Sequence, residues 1–222
     1  MEVNGYKIEP GVDLSRFRLS QANLKGANLK GAKLKGTNLM FADLTGANLS
    51  GADLSAGEPD SMWNALRQET NLWGAKLSGV DLSGANLRGA YLGYADLTGA
   101  NLTGAELIFA DLPNADLTNV NLSGANLYEA NFGDANLTGA NLAGVNLFDE
   151  FNHPPEEGLN LRCAILTGAN LTNANLSGAI LADANLTGAN LERANLTGAN
   201  GAGAWGYANL TGATLPNGSI HE

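Results

Sequence analysis

Charge, cysteine and aromatic residues are all scarce in this sequence of 222 residues. Charged residues are 15% of the chain and hydrophobic residues 44%, a balance that excludes a charge-rich disordered protein. The single cysteine, Cys163, excludes an internal disulfide framework. No apolar run approaches the ~18 residues of a membrane-spanning helix, and the first residues lack the pattern of a signal peptide. We therefore expect a cytoplasmic protein with no membrane segment.

Residues suited to catalysis are equally scarce. The two histidines, His153 and His221, lie far apart in the sequence. No serine–histidine–aspartate, cysteine–histidine or paired-carboxylate arrangement can be recognised from the spacing. Clusters of histidine and cysteine that could hold a metal ion are missing from the sequence as well. The sequence thus predicts no enzyme, no cofactor and no metal site.

What the sequence has in abundance is a five-residue repeat. Alanine usually stands two positions before a central residue, asparagine or aspartate one before, threonine or serine one after, and glycine two after, as in Ala100–Gly104. The central residue is leucine, with Phe132 as the only substitute, in stretches that run from Leu14 to Leu54, from Leu72 to Leu147 and from Leu161 to Leu196, and again at Leu210 and Leu215.

A period of five matches neither the 3.6 residues per turn of a helix nor the two-residue alternation of a strand. The central residue and the residue two before it lie on one side of a short extended piece, and the asparagine or aspartate between them faces outward. Glycine two after the central residue favours a bend. Each pentapeptide is then one straight side and one corner, so the chain must wind into a solenoid whose coils bury leucine and alanine against their neighbours.

This pattern resembles the pentapeptide-repeat family over about residues 12–215. The resemblance implies an all-β fold, a right-handed quadrilateral β-helix with four pentapeptides in each coil. In that fold the central residue and the residue two before it point inward. The tail from Leu215 to His221 also resembles the ends of cyanobacterial members. We expect about nine coils, which at ~4.8 Å per coil make a tower ~43 Å tall.

The chain is predicted to be a single pentapeptide-repeat domain, 1–222. A cap is expected at the N-terminus, because an end coil would otherwise expose its apolar cross-section to water. Near the other end, Trp205 is interpreted as a large side chain that fills the last coils. The predicted segments are a cap at 1–11, repeats at 12–54, an insertion at 55–70, repeats at 71–147, a second insertion at 148–159, repeats at 160–215 and a C-terminal tail at 216–222.

Treating both insertions as pure excursions assigns every pentapeptide to one of four sides of the tower, called faces A, B, C and D in chain order. Both insertions then leave the tower at the corner between face D and face A, four coils or ~19 Å apart. The central residues of face A are Leu19, Leu39, Leu72, Leu92, Leu112 and Phe132, and those of face D are Leu14, Leu34, Leu54, Leu87, Leu107, Leu127 and Leu147.

Apolar side chains at outward positions gather along this edge of the tower. Such a concentration marks either a contact surface for a partner or a surface that another part of the chain covers, and both alternatives stay open. The candidate protein-binding edge consists of Met40, Phe41, Trp73, Tyr91, Tyr94, Ile108, Phe109, Tyr128 and Phe148. The insertions supply the loop candidates Met62, Trp63, Leu66, Phe151 and His153.

The net charge of −10 is unevenly distributed. Residues 1–36 carry a net +4 and the remaining 186 residues a net −14. The basic first coils lack the interleaved aromatic residues of a nucleic-acid site, and the acidic remainder repels DNA. We therefore expect no direct binding of nucleic acid.

Two functions remain compatible with these features. The first is a non-enzymatic scaffold for protein–protein interaction, in which a rigid tower displays two loops and an apolar edge to an unidentified partner. A regulatory role is compatible with this function. The alternative is an acidic DNA mimic, since some members of the family that this chain resembles are acidic rods that bind type II topoisomerases. The sequence does not distinguish a monomer from an end-to-end dimer.

Overall fold

The computed structural model describes residues 1–56, 69–147, 158–201 and 204–222. Two short strands, β1 (Glu2–Val3) and β2 (Tyr6–Lys7), pair antiparallel at the N-terminus. Beyond them, isolated parallel bridges join the residues that precede the central ones. Where no insertion intervenes the partners are 20 positions apart, except at the C-terminal end, where Asn190 with Asn209 and Asn195 with Thr214 are 19 apart. Four columns of such bridges run along the molecule, so four pentapeptides make one coil of a four-sided parallel β-helix. Within the described ranges, no helix is long and apolar enough to cross a bilayer.

The bridges confirm the assignment of pentapeptides to faces. Across the first insertion, Asn38 bridges to Asn71 in the column of face A, and across the second Asn131 bridges to Asn160 in the same column. Asp53 stands in the column of face D, and the chain reaches face A at Asn71. Both insertions therefore connect face D to face A. The column of face C contains nine bridged positions, from Asn28 to Asn209.

Leucine and alanine fill the interior, as the repeat predicts. Every described central residue from Leu14 to Leu196 is at most 1% exposed, and Phe132 is fully buried among them. Burying one such side chain stabilises the fold by ~1.5–3 kcal/mol. The corners follow from glycine two positions after the central residue, because the backbone there is left-handed, with φ of 63° at Gly104.

The outward asparagine and aspartate side chains hydrogen-bond to the backbone of their own coil and to side chains of the neighbouring coil. The Oδ1 of Asp96 accepts a hydrogen bond from the backbone N–H of Thr98 at 3.0 Å, a contact that recurs in most coils. The amide Nδ2 of Asn141 donates to Oδ1 of Asn121, one coil away, at 3.0 Å. These bonds explain why the position before the central leucine is asparagine or aspartate.

Both ends of the tower carry additional packing. At the N-terminus Ile8 is buried, and the ring centroids of Tyr6 and Phe17 lie 4.5 Å apart. At the C-terminus Thr214 bridges antiparallel to Ile220, so the tail folds back along the last coil.

Trp205 packs against the core near the C-terminal end. A Cβ added to Gly201, which follows Asn200 in the column of face A, would lie 3.0 Å from Cζ2 of the Trp205 indole. The indole therefore occupies the space that the side chain of a central leucine takes in the coils below.

Candidate functional site: an aromatic platform on face A

Four aromatic side chains lie together on face A, and we call Phe41, Trp73, Tyr91 and Tyr94 the aromatic platform. The ring centroid of Trp73 is 4.5 Å from that of Tyr94 and 5.2 Å from that of Tyr91. The ring of Phe41 lies against Gly74, the residue after Trp73. The platform therefore spans three successive coils.

Two glycines make room for the rings. A Cβ added to Gly93 would lie 2.7 Å from Cε3 and from Cζ3 of Trp73, well inside van der Waals contact. A Cβ added to Gly74 would overlap the ring of Phe41. Each ring thus lies over the backbone of the next coil, where an ordinary side chain would prevent it.

The corner between faces A and B carries side chains where the other corners mostly have glycine. Its residues adopt φ near +57°, a conformation that costs a residue with a Cβ about 1–2 kcal/mol. Asparagine and aspartate tolerate it best, whereas bulky aromatic residues are outliers there. Gly74 is the exception in this row, whose other members are Gln21, Phe41, Tyr94, Asn114, Asp134, Cys163 and Asp183.

The platform combines exposed and half-buried rings. Phe41 is 49% exposed and Tyr94 55%, whereas Trp73 and Tyr91 are half-buried beneath them, as is Met40 in the coil of Phe41. Burial raises the pKa of the Tyr91 phenol, and the nearby carboxylates of Asp111 and Glu69 raise it further. The result is a packed aromatic surface with carboxylates nearby.

A second aromatic group lies at the corner between faces D and A. Phe109, also with a φ of 57°, is 41% exposed and meets Tyr128 edge-to-face at 5.5 Å between ring centroids. Ile108 and Tyr128, however, are only 5% and 7% exposed. The sequence placed both on the binding edge because their positions point outward. Their burial leaves them little area to offer a partner, so of these three only Phe109 remains a candidate contact.

The remaining candidates lie outside the described residues. They are Phe148 of the edge and the loop candidates Met62, Trp63, Leu66, Phe151 and His153.

A buried threonine beside the first insertion escaped the sequence reasoning. The Oγ1 of Thr70 lies 2.9 Å from the carbonyl oxygen of Ser55 and 3.1 Å from that of Leu34, and it accepts a hydrogen bond from the N–H of Gly36 at 2.9 Å. It thus joins the two ends of the insertion to the coil below. The sequence did contain a signal for this buried contact, because threonine replaces the usual alanine two positions before Leu72.

Groups that could perform chemistry are not assembled in the described parts of the chain. No three of their histidine, cysteine, aspartate and glutamate residues are arranged to hold a metal ion. Cys163 is exposed at the corner between faces A and B.

Comparison with known proteins assigns the repeat. A family profile described as pentapeptide repeats matches in eight copies, over residues 11–39, 22–56, 68–104, 81–119, 115–149 and 158–204. This match confirms the right-handed quadrilateral β-helix that the sequence predicts. A search of curated proteins found no match.

Solved structures of similar chains come from several sources. HetL, a pentapeptide repeat protein involved in heterocyst differentiation regulation from the cyanobacterium Nostoc sp. strain PCC 7120, is 33% identical over 96% of this chain and 92% of its own, with a TM-score of 0.38. Rfr23 from the cyanobacterium Cyanothece 51142 is 29% identical over 71% of this chain and 85% of its own, with a TM-score of 0.25. Full-length QnrB1, a plasmid-mediated fluoroquinolone resistance protein, is 17% identical over 94% and 93%, with a TM-score of 0.46.

Proposed function

Since the chain belongs to the pentapeptide-repeat family, we propose that it is a non-enzymatic scaffold that binds a protein partner through the aromatic platform. The observation that carries the proposal is the placement of Phe41 and Tyr94. Both are large apolar side chains, about half exposed, in a left-handed backbone conformation that glycine adopts without cost. Neither the exposure nor the strain stabilises the fold, and such strained residues persist mainly where they serve a function.

The composition and rigidity of the platform also favour protein binding. Tryptophan and tyrosine are enriched among the residues that dominate binding energy in protein interfaces. Trp73 is held between Tyr91 and Tyr94, so little side-chain freedom remains to be lost when a partner docks.

The other surfaces offer less to a partner. Outward asparagines such as Asn101 and Asn141 are already engaged in hydrogen bonds between coils, to Asp81 and Asn121 respectively. Their function is to hold the stack together. A scaffold with one binding surface on a rigid tower therefore fits the described residues better than a broad adhesive surface. A cytoplasmic location remains part of the proposal, and cell fractionation tests it.

The test replaces the two exposed rings with the residue that the repeat itself prefers. The double variant Phe41→Gly/Tyr94→Gly removes the rings and relieves the strain, so we expect the fold to be retained. The matched control Asn114→Gly/Asp134→Gly makes the same change at the same corner, outside the platform. Affinity purification from the cells that produce the protein should recover a partner with the wild type and the control but lose it with the ring variant. Equal recovery by all three would refute the proposal.

A second candidate function, the acidic DNA mimic, is supported by charge alone. The column of face B brings Asp43, Asp96 and Asp116 into one row, within the part of the chain whose net charge is −14. Lys76 interrupts this row, and asparagine continues it, so the charge is sparse compared with a DNA backbone. A supercoiling assay with a type II topoisomerase decides the matter, because unchanged activity at micromolar protein contradicts mimicry.

A further inference from the structure

An acidic hollow borders the aromatic platform. Its volume is about 330 Å³, and its lining includes the carboxylates of Glu69, Asp111 and Glu129 with the ring of Phe109 as an apolar wall. Gly89, Ala110 and Asn131 also line it, and the Nδ2 of Asn131 donates a hydrogen bond to Oδ1 of Asp111 at 2.7 Å. Among its described lining residues there is no lysine, arginine or histidine. The hollow therefore combines negative charge with an aromatic surface.

The hollow and the platform are continuous. Asp111 follows Tyr91 in the column of face A, one coil further along. The carboxylates of Asp111 and Glu69 both act on the Tyr91 phenol and, after burial, are the next causes of its raised pKa. A partner that lies on the platform would thus place neighbouring side chains within reach of the hollow.

An arginine of this chain already shows how Phe109 accepts a cation. The guanidinium carbon of Arg88 lies 5.3 Å from the centroid of the Phe109 ring, within the range of a cation–π contact. Arg88 lines a separate groove on face D, together with Glu106 and Ile108, and does not line the hollow. Phe109 thus pairs with a cation on the side of face D and contributes its ring to the hollow on the side of face A.

We infer that the partner presents a basic segment, with an arginine that enters this hollow while adjoining residues of the segment lie on the aromatic platform. The inference rests on the proposed function and names the chemistry of the partner. Arginine fits better than lysine, because its planar guanidinium stacks on aromatic rings and forms paired hydrogen bonds with carboxylates. A partner bearing phosphate groups would be repelled by the carboxylate lining.

The probe is a fluorescein-labelled dodecapeptide with three arginines separated by glycine and serine, and its matched peptides carry lysine or citrulline instead. Citrulline keeps the shape of arginine and lacks its charge. Fluorescence polarisation measures each Kd with the full chain, with Glu69→Gln/Asp111→Asn and with the control Asp96→Asn/Asp116→Asn. The control removes the same charge from face B, so it separates the hollow from the overall net charge.

We expect the arginine peptide to bind at least tenfold tighter than the citrulline peptide, as one cation–π contact and one ion pair together imply. The hollow variant keeps the Phe109 ring and loses only two carboxylates, so we expect it to lose roughly fivefold in affinity. The lysine peptide should fall between the arginine and citrulline peptides, and the control should change the Kd less than about threefold. Absence of arginine binding up to about 1 mM, the weakest affinity such contacts support, would overturn the inference. Equal losses in both variants would overturn it too, as would saturable calcium binding that the hollow variant abolishes.

Failure of this inference and failure of the proposed function can be told apart. If the ring variant Phe41→Gly/Tyr94→Gly loses its cellular partner while the hollow variant keeps it, the scaffold stands and the basic segment is rejected. If the ring variant keeps its partner, the platform is rejected whatever the peptides show.

Discussion

Replacing Gly93 with alanine tests whether the platform is packed as described. Gly93 directly follows a central leucine, outside the left-handed region, at a position where threonine and serine are the commonest residues of the repeat. At such a site glycine to alanine ordinarily stabilises a protein by ~0.4–1 kcal/mol, because the unfolded chain loses freedom. At Gly93 the new Cβ would lie 2.7 Å from two carbons of the Trp73 ring, which must shift by about 1 Å to reach normal contact.

Overpacking of this kind typically costs ~1–3 kcal/mol, so the sign of the effect should reverse. We expect Gly93→Ala to lower the free energy of unfolding by about 1 kcal/mol or more, a fall of ~2–4 °C in Tm for a chain of this size. The control is Gly133→Ala, at the same position of face A two coils further on. There the nearest atoms to the Cβ are Oδ1 of Asn131 at 3.2 Å and Nδ2 of Asn160 at 3.6 Å, with no ring nearby.

Thermal and urea unfolding followed by circular dichroism measures both variants. The control Gly133→Ala should leave the free energy of unfolding unchanged or raise it. In a Trp73→Ala background, Gly93→Ala should no longer lower the free energy of unfolding, which would show that the two positions are coupled. If Gly93→Ala and Gly133→Ala behave alike, the Trp73 ring does not lie over Gly93 and the description of the platform is wrong.

Three further results are expected. Thr70→Val should cost ~1–3 kcal/mol in urea unfolding, and more than Thr37→Val, because the Thr70 hydroxyl shares its one proton between two carbonyls and also accepts the N–H of Gly36, whereas Thr37 bonds one carbonyl; equal effects would refute the special role of Thr70. Leu102→Ala should cost ~2–5 kcal/mol, since its side chain is fully buried, and a smaller loss would contradict the tight interior. Hydrogen bonds from Thr45 lower the pKa of Asp43. The ionised carboxylate therefore stabilises the fold above the ordinary pKa of aspartate, and this stabilisation is lost as the pH falls through the lowered pKa. Asp43→Asn should show a smaller loss of Tm on acidification below about pH 4 than the wild type.

The fold was predictable because the repeat is strictly periodic. A period of five with a small and a large apolar residue two apart determines which side is buried, and four pentapeptides per coil place residues 20 apart in contact. Even the two insertions did not obscure the register, as the bridges of Asn38 with Asn71 and of Asn131 with Asn160 show. What made this possible is that each coil repeats the backbone of the one below.

The candidate surface was predictable only in part. An outward position gives the direction of a side chain but not what neighbouring side chains cover, so the burial of Ile108 and Tyr128 could not be read from the repeat. The packing of the Trp73 ring on Gly93 could have been predicted from the repeat, because the two residues are 20 positions apart and glycine is unusual directly after a central leucine. Exceptions to a repeat are therefore best examined in stacked pairs.

The most direct test of the central claim, that the aromatic platform is a protein-binding surface, is site-specific photocrosslinking in the cells that produce the protein. A benzophenone amino acid replaces Tyr94 on the platform or, as the control, Thr103 on the opposite face C, where the side chain is exposed. We predict a discrete adduct with one partner from position 94 and none from position 103. Adducts from position 103 alone, or the same adducts from both positions, would contradict the account.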